Sequence, residues 1–171
     1  AFTNLVATGD LSAPNIIGKP DAYTKLLIHS DKADGRNTFT DSSPSGHAIT
    51  AGGAVHHETD QSKFGASSIY LDGADDYLSV ANHADFAFGA NDFTIDAWIY
   101  GTDAGQNEQT ILSKNIVSSN YGWVLNFNSG GTGNGYRDLG LLWSTNGSSW
   151  ASTARFTSGI TANGWYHVAV V

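Results

Sequence analysis

Asp96, Trp98 and Tyr100 alternate along one extended run, Phe93-Thr94-Ile95-Asp96-Ala97-Trp98-Ile99-Tyr100. Trp165 and His167 alternate in the same way along Trp165-Tyr166-His167-Val168-Ala169-Val170. Residues two apart on a strand share a face. Each run therefore puts rings and polar groups on one side, with Phe93, Ile95, Ala97 and Ile99, or Tyr166, Val168 and Val170, on the other. Runs 121–128 and 136–144 divide likewise, with Tyr121, Trp123, Leu125 and Phe127, and Leu139, Leu141 and Trp143, as core residues. If these runs are neighbours in a sheet, the outward set is Asp96, Trp98, Tyr100, Asn126, Asn128, Tyr136, Asp138, Trp165 and His167. That mixture suits sugars, because rings stack on the apolar faces of a sugar while amides and carboxylates bind its hydroxyls. The same pattern also fits a merely amphipathic outer face, with Trp98 and Trp165 covered by loops or later strands.

Other chemistries are weaker. Calcium needs carboxylate and carbonyl oxygens, and Asp31, Asp41, Asp72, Asp75 and Asp76 all fall in turn-like segments that a folded sandwich could gather. The alternative is that these aspartates cap their own turns. His56-His57-Glu58 with Asp60 invites a metal reading, but neighbouring residues on a strand point to opposite faces, so both imidazoles do not easily reach one ion. Glycoside hydrolysis needs two carboxylates about 5–10 Å apart. Glu58 and Glu108 stand in turn-like or edge contexts and Asp96 is alone on its strand, so no such pair is visible. A Ser-His-Asp triad is not excluded by composition, yet no Gly-x-Ser-x-Gly elbow is present. Gly130-Gly131-Thr132-Gly133-Asn134-Gly135 lacks the Lys-Ser/Thr pair of a phosphate loop and reads as a hairpin tip.

The elements that must position these residues are short strands. Extended runs fall near 25–29, 47–51, 54–57, 67–72, 76–80, 92–100, 109–114, 121–128, 136–144, 152–156 and 165–171. Between them lie the turn dipeptides Asp34-Gly35, Ser45-Gly46, Gly52-Gly53, Asp72-Gly73, Asn146-Gly147 and Asn163-Gly164. No segment holds a helical period over three turns. Charged residues make up only 14%, the remaining polarity coming from Gly, Ser, Thr and Asn, which is the composition of strands joined by turns. With 171 residues there is room for one core. The net charge of −8 repels phosphate backbones and anionic headgroups, which argues against nucleic acid and membrane surfaces as partners. Cysteine is absent, so neither a disulfide framework nor a thiolate metal site enters, and no apolar run approaches the roughly 20 residues that span a bilayer.

Residues 1–23 differ in character, with Pro14 and Pro20 among scattered apolar residues. They read as a lead-in or linker whose Leu5-Val6 and Ile16-Ile17 could pack on a neighbouring chain. The first residue is Ala, methionine is missing, and the last residues lie inside an apolar run, so a longer parent protein is expected. The sequon Asn146-Gly147-Ser148 sits at a turn and reads as chance.

Leu26-Leu27-Ile28-His29-Ser30-Asp31, Phe39-Thr40-Asp41-Ser42-Ser43 with Gly46-His47, Lys63-Phe64-Gly65, Ile69-Tyr70-Leu71-Asp72-Gly73, Asp76-Tyr77-Leu78 and Asp92-Phe93-Thr94-Ile95-Asp96-Ala97-Trp98 follow one another along the chain. After them come Gly122-Trp123, Trp143-Ser144-Thr145-Asn146-Gly147-Ser148-Ser149-Trp150 and Trp165-Tyr166-His167-Val168-Ala169-Val170. In this order they closely resemble the laminin-G-like, concanavalin-A-like jelly-roll family over residues 25–171. The resemblance implies a two-sheet antiparallel jelly-roll sandwich, found as a module of secreted, cell-surface and phage virion proteins and often engaged in glycan binding or adhesion. Members continue past the Trp-Tyr-His-Val strand, so the domain at 24–171 is expected to lack late strands, and Asp75 beside Asp76 thickens one acidic turn.

The combined expectation is an extracellular, cell-surface or virion recognition module without catalysis, taking a glycan or cell-surface polysaccharide and requiring no cofactor, with calcium as an optional ion. The other expectation is a structural assembly or capsid-decorating subunit with no glycan ligand, joined to other protein subunits through its N-terminal segment. Trp98 and Trp165 packed away would favour the second, and a shallow aromatic surface with free hydroxyl partners the first. Fold alone does not decide between them.

Overall fold

Period-two patterning produces an all-β chain of antiparallel sheets. The computed structural model describes residues 2–5, 20–101, 109–117, 120–127, 138–157 and 163–171. The chain divides into two compact units, Ala1–Tyr100 with Trp165–Val171, and Gly101–Gly164.

The first unit carries a five-stranded sheet. Its strands are β1 (Phe2–Leu5), β3 (His56–Glu58), β4 (Ser68–Tyr70), β6 (Ile95–Gly101) and β11 (Gly164–Val170), in the order β11-β6-β1-β4-β3. A separate antiparallel pair joins β2 (Ile49–Gly52) to β5 (Tyr77–Val80). Direct cross-strand partners share a face, and the register puts His57 opposite Ile69, Ile69 opposite Thr3, and Thr3 opposite Ile99. This is the inner face. Ile69, Ile95, Ala97, Ile99 and Val168 are buried, as are Leu27, Ile28, Phe39 and Val55 from neighbouring segments. The alternation read from the sequence therefore holds in β6 and β11, where Ile95, Ala97, Ile99 and Val168 are buried while Trp98 and Tyr100 are half-buried and His167 is exposed. Phe93, expected in the core, precedes β6 and is half-buried, its ring stacked on Phe88 at 4.2 Å.

Two segments depart from the sequence reading. Residues 1–23 were expected ahead of the domain, yet Phe2–Leu5 pair with β4 on one side and β6 on the other. A strand held on both edges takes its hydrogen bonds from its neighbours and needs no long pattern of its own. Residues 6–19, on which the expected lead-in mostly falls, lie outside the described residues. Near 25–29 there is no strand among the described residues but two bridge residues, Leu27 and Ile28, the latter paired with Asp41. There the Asp41 carboxylate accepts the Leu27 amide at 3.0 Å, and the Ser42 amide donates to the Leu27 carbonyl at 2.7 Å, so a loop supplies the bonds a partner strand would.

The second unit is a four-stranded antiparallel meander of β7 (Gln109–Val117), β8 (Asn120–Phe127), β9 (Asp138–Trp143) and β10 (Ser152–Thr157), in the order β10-β9-β8-β7. Trp123, Leu125 and Phe127 stand opposite Trp143, Leu141 and Leu139, the apolar face expected from sequence. In β8, however, Val124, Leu125, Asn126 and Phe127 are all buried, so this strand is covered on both faces and period two no longer separates inside from outside. The Gly130–Gly135 hairpin tip lies outside the described residues.

The turn dipeptides take the backbone that their residue types allow. Asn163 adopts φ 61° ahead of β11, a left-handed conformation that asparagine tolerates. Gly53 adopts φ 69°, and a Cβ there would also lie 2.8 Å from the Asp75 carbonyl oxygen. Both strain and crowding oppose any side chain, so Gly53→Ala should cost about 1–3 kcal/mol. Urea unfolding checks this: the midpoint drops with an unchanged slope.

Candidate functional site

The register that builds the five-stranded sheet also assembles its outer face. Tyr100 is opposite Phe2, Phe2 opposite Tyr70, and Tyr70 opposite His56. The side chains of Tyr100, Tyr70 and His56 thus belong to one row, and β11 extends it, with Trp165 and Tyr100 ring centroids 5.4 Å apart. His56 and Tyr70 rings lie 5.0 Å apart at the other end. One step along, Trp98 meets His167 at 5.2 Å, and His167 Nε2 stands 3.9 Å from Asp96 Oδ2.

From the loop between β3 and β4, Phe64 places its ring edge-on to Trp98 at 5.6 Å, and Lys63 Nζ lies 4.2 Å from the Trp98 ring centroid. An ammonium over an indole face is attracted by the ring quadrupole, by about 0.5–2 kcal/mol. The result is a half-buried aromatic surface edged by Lys63, His167 and Glu58, with Phe64 exposed.

The predicted ligand set divides accordingly. Asp96, Trp98, Tyr100, Trp165 and His167 come together on this face. Asp96 was expected outward and is only 7% exposed, its Oδ2 3.9 Å from His167 Nε2. Asn126 was also expected at the surface but is buried in β8, where its side-chain oxygen accepts the Thr110 hydroxyl at 3.2 Å from the directly paired position. Asn128 and Tyr136 lie outside the described residues, and Asp138 is placed only as the backbone partner of Thr157 at the start of β9. Sequence reading missed Tyr70, His56, Lys63 and Phe64. Tyr70 and His56 carry the right alternation, but only the register across β1 links them to Tyr100, and Lys63 and Phe64 sit in a loop with no period to read.

The aspartates expected to bind calcium do not form one group. Asp72, Asp75 and Asp76 offer carboxylate oxygens within 4.8 Å of one another, while Asp31 and Asp41 stand apart. Asp76 Oδ1 accepts the Ala54 amide at 2.5 Å and its Oδ2 the Asp72 amide at 3.0 Å, and Asp72 Oδ1 accepts the Ala74 amide at 2.8 Å. These carboxylates already cap the β2–β5 end of the sheet pair, the role that turn aspartates ordinarily fill. Asp41 is more fully committed, accepting the amides of Leu27, Ser43 and His47 and the Ser43 hydroxyl at 2.8–3.0 Å. Burial pushes its carboxyl up, but these donors outweigh burial and hold it below the ordinary carboxylate value.

His56 and His57 point to opposite faces, as their adjacency on a strand requires. His57 is 0% exposed. The Thr38 carbonyl can only accept, so His57 Nε2 carries the proton toward it at 3.2 Å, and Nδ1 accepts the Ser30 hydroxyl at 2.6 Å. Phe39 stacks on the ring at 4.4 Å. A serine donating to a histidine resembles half of a nucleophilic pair, but both partners are buried and the second ring nitrogen meets a carbonyl, so the arrangement is structural.

Burial lowers the His57 pKa from 6.5. A lowered folded-state value means that stability is fully present above about pH 6.5 and declines as the pH falls, because the unfolded chain takes a proton that the folded one resists. The stability of the wild type should fall between about pH 7 and pH 5. His57→Phe should flatten that slope, as read from urea midpoints across the range.

Residues 72–171 match the family model described as the concanavalin A-like lectin/glucanases superfamily. The chain belongs to that superfamily. No curated protein and no solved structure matches it. The match begins at the Asp72-Gly73 turn and runs through β5 to β11, so it includes Asp96, Trp98, Tyr100, Trp165 and His167. Antiparallel sheets and the near-absence of helix, a single 3-10 turn at Ala84–Phe86 among the described residues, agree with a concanavalin-A-like sandwich. Membership suggests a carbohydrate-binding type of module. Domains of the laminin-G type are generally non-catalytic, although the superfamily takes in glucanases, and they are typically extracellular. Among the described residues no helix is long and apolar enough to cross a membrane.

Proposed function

We propose that this chain is a non-catalytic recognition or adhesion module that takes a glycan on the outer face of its five-stranded sheet. In this reading it belongs to a larger extracellular, cell-surface or phage virion fibre protein. The observation that carries the proposal is the alignment of Trp165, Tyr100 and Tyr70 in one row of the sheet, with Trp98 and His167 in the next row. Sugars present apolar C–H faces and hydroxyls in alternation, and half-exposed rings beside Lys63, Glu58 and His167 meet both.

Carboxylate spacing supports a binding rather than a hydrolytic role. Glu58 and Asp96 lie on β3 and β6, with β4 and β1 between them. Three strand spacings separate them by about 14 Å, beyond the roughly 5–10 Å that glycosidic cleavage uses. Glu108 lies outside the described residues. The reading needs no cofactor, and glycan binding should be the same with and without added calcium.

A glycan array probed with the wild type and Trp98→Ala tests the proposal. The wild type should light a restricted set of sugars and the variant should fall to background, whereas equal signals would remove the face from consideration. The second reading, an assembly subunit without a glycan ligand, is favoured by the partners that already engage Trp98, namely Lys63, Phe64 and His167. It predicts a blank array and a concentration-dependent sedimentation coefficient.

A further inference from the structure

The antiparallel pairing of β2 with β5 places Ile49 opposite Val80. It thereby brings His47, just ahead of β2, against His83 and Asp85, just beyond β5. None of these residues belongs to the aromatic face. His47 Nε2 lies 3.1 Å from Asp85 Oδ2, and His83 Nδ1 lies 3.4 Å from the same oxygen. The three ligand atoms all fall within 4.8 Å of one another. A tetrahedral ion with bonds of about 2.0–2.1 Å holds its ligand atoms about 3.3–3.4 Å apart, so the two separations from Asp85 Oδ2 are close to those of a coordination shell.

A second observation points the same way. His83 Nδ1 accepts the Asp85 amide at 3.2 Å, so that nitrogen carries no proton, yet it faces an anionic carboxylate oxygen. A cation set against both atoms would turn that contact from repulsive to attractive.

The surroundings support the group. Ser45 Oγ donates to Asp85 Oδ2 at 2.7 Å, an outer-shell bond of the kind that orients a ligating carboxylate. The His47 ring packs on Phe86 at 4.9 Å, and its backbone amide is fixed by Asp41 at 2.8 Å. His83 is 53% exposed in its side chain, which leaves an entry path.

We propose that His47 Nε2, His83 Nδ1 and Asp85 Oδ2 form a site for a first-row transition divalent ion of the zinc class, with water in the remaining position. Zinc takes over the His83 lone pair now shared with the Asp85 amide, and Ser45 keeps its bond to the carboxylate. Two imidazole nitrogens disfavour calcium and magnesium, which prefer oxygen. The ion would tie the loop carrying Ser45 and His47 to the turn after β5. This site is independent of the glycan reading.

Zinc chloride titrated calorimetrically into the full chain should bind with one equivalent, and calcium chloride should give no competing heat at the site. His83→Ala and Asp85→Asn should each weaken zinc at least about tenfold, and Ser45→Ala by up to about tenfold. Because His83 is largely exposed, its variant should fold, as far-ultraviolet circular dichroism would show. Zinc should raise the melting temperature of the wild type by several degrees and leave His83→Ala unmoved. His56→Ala and His167→Ala should bind zinc as the wild type does. The proposal is overturned by no zinc binding, by wild-type affinity in His83→Ala, by a loss that follows His56 or His167 instead, or by calcium displacing the zinc.

Discussion

Asp41→Ala lowers the stability of the fold by about 3–5 kcal/mol, the largest effect expected of a single substitution away from the apolar core. The carboxylate is 7% exposed and is the common acceptor for amides from three separate points, Leu27, Ser43 and His47, as well as for the Ser43 hydroxyl. Removing it leaves those amides without their acceptor where water has little access, and each orphaned group costs about 1–3 kcal/mol.

Asp41→Asn separates charge from shape. Its amide oxygen can replace Oδ1, but its NH2 group then faces the His47 amide, which is also a donor, so most of the loss should persist. Urea unfolding of the three proteins gives the comparison. Acid unfolding adds a check: the folded-state value of Asp41 is held below 3.8, so its contribution is present above about pH 3.8 and fades as the pH falls through the folded value. Both variants should lose that part of the acid limb. A midpoint for Asp41→Ala within about 0.5 kcal/mol of wild type would show that the loop is held by something else.

Trp98→Ala should weaken the glycan found on the array by about 30-fold or more, the loss of at least about 2 kcal/mol that marks an aromatic anchor at the centre of a contact. The central place of Trp98 follows from its neighbours, His167 on β11 and Lys63 and Phe64 from the loop. Its removal also releases Lys63 from the indole face. Trp165→Ala should cost less, because Trp165 ends the row on the outermost strand β11 and stands against Tyr100 alone among the described ring pairs. Titration calorimetry of both variants tests the order. A larger loss for Trp165→Ala would move the centre of the site toward β11, and equal wild-type affinities would take the ligand off this face.

How far the sequence could be read depended on what each element borrows from its neighbours. β6 and β11 carry their own alternation, and the burial of Ile95, Ala97, Ile99 and Val168 follows it. β8 also alternates in sequence, but being covered on both faces it buries Asn126 along with Leu125, so a polar residue that looked like a ligand is part of the packing. β1 gave no signal because four residues held between β6 and β4 need none.

The site was half legible for a related reason. Asp96, Trp98, Tyr100, Trp165 and His167 lie on strands whose period could be read, whereas Lys63 and Phe64 arrive from a loop. Asp41 looked like its acidic neighbours, and only its set of donors separates a buried clamp from the turn caps at Asp72 and Asp76. His47 is far in sequence from His83 and Asp85, and only the β2–β5 register joins them.

The most direct measurement uses the indole N–H signals of the chain, which contains 5 tryptophans, followed by two-dimensional nitrogen–proton spectroscopy while the best array glycan is added. The signals of Trp98 and Trp165 should shift with saturation at the calorimetric affinity, while those of Trp123, Trp143 and Trp150 stay in place. Movement confined to Trp123, Trp143 or Trp150, or binding with no indole shift at all, would contradict a sugar seated on the outer face of the five-stranded sheet.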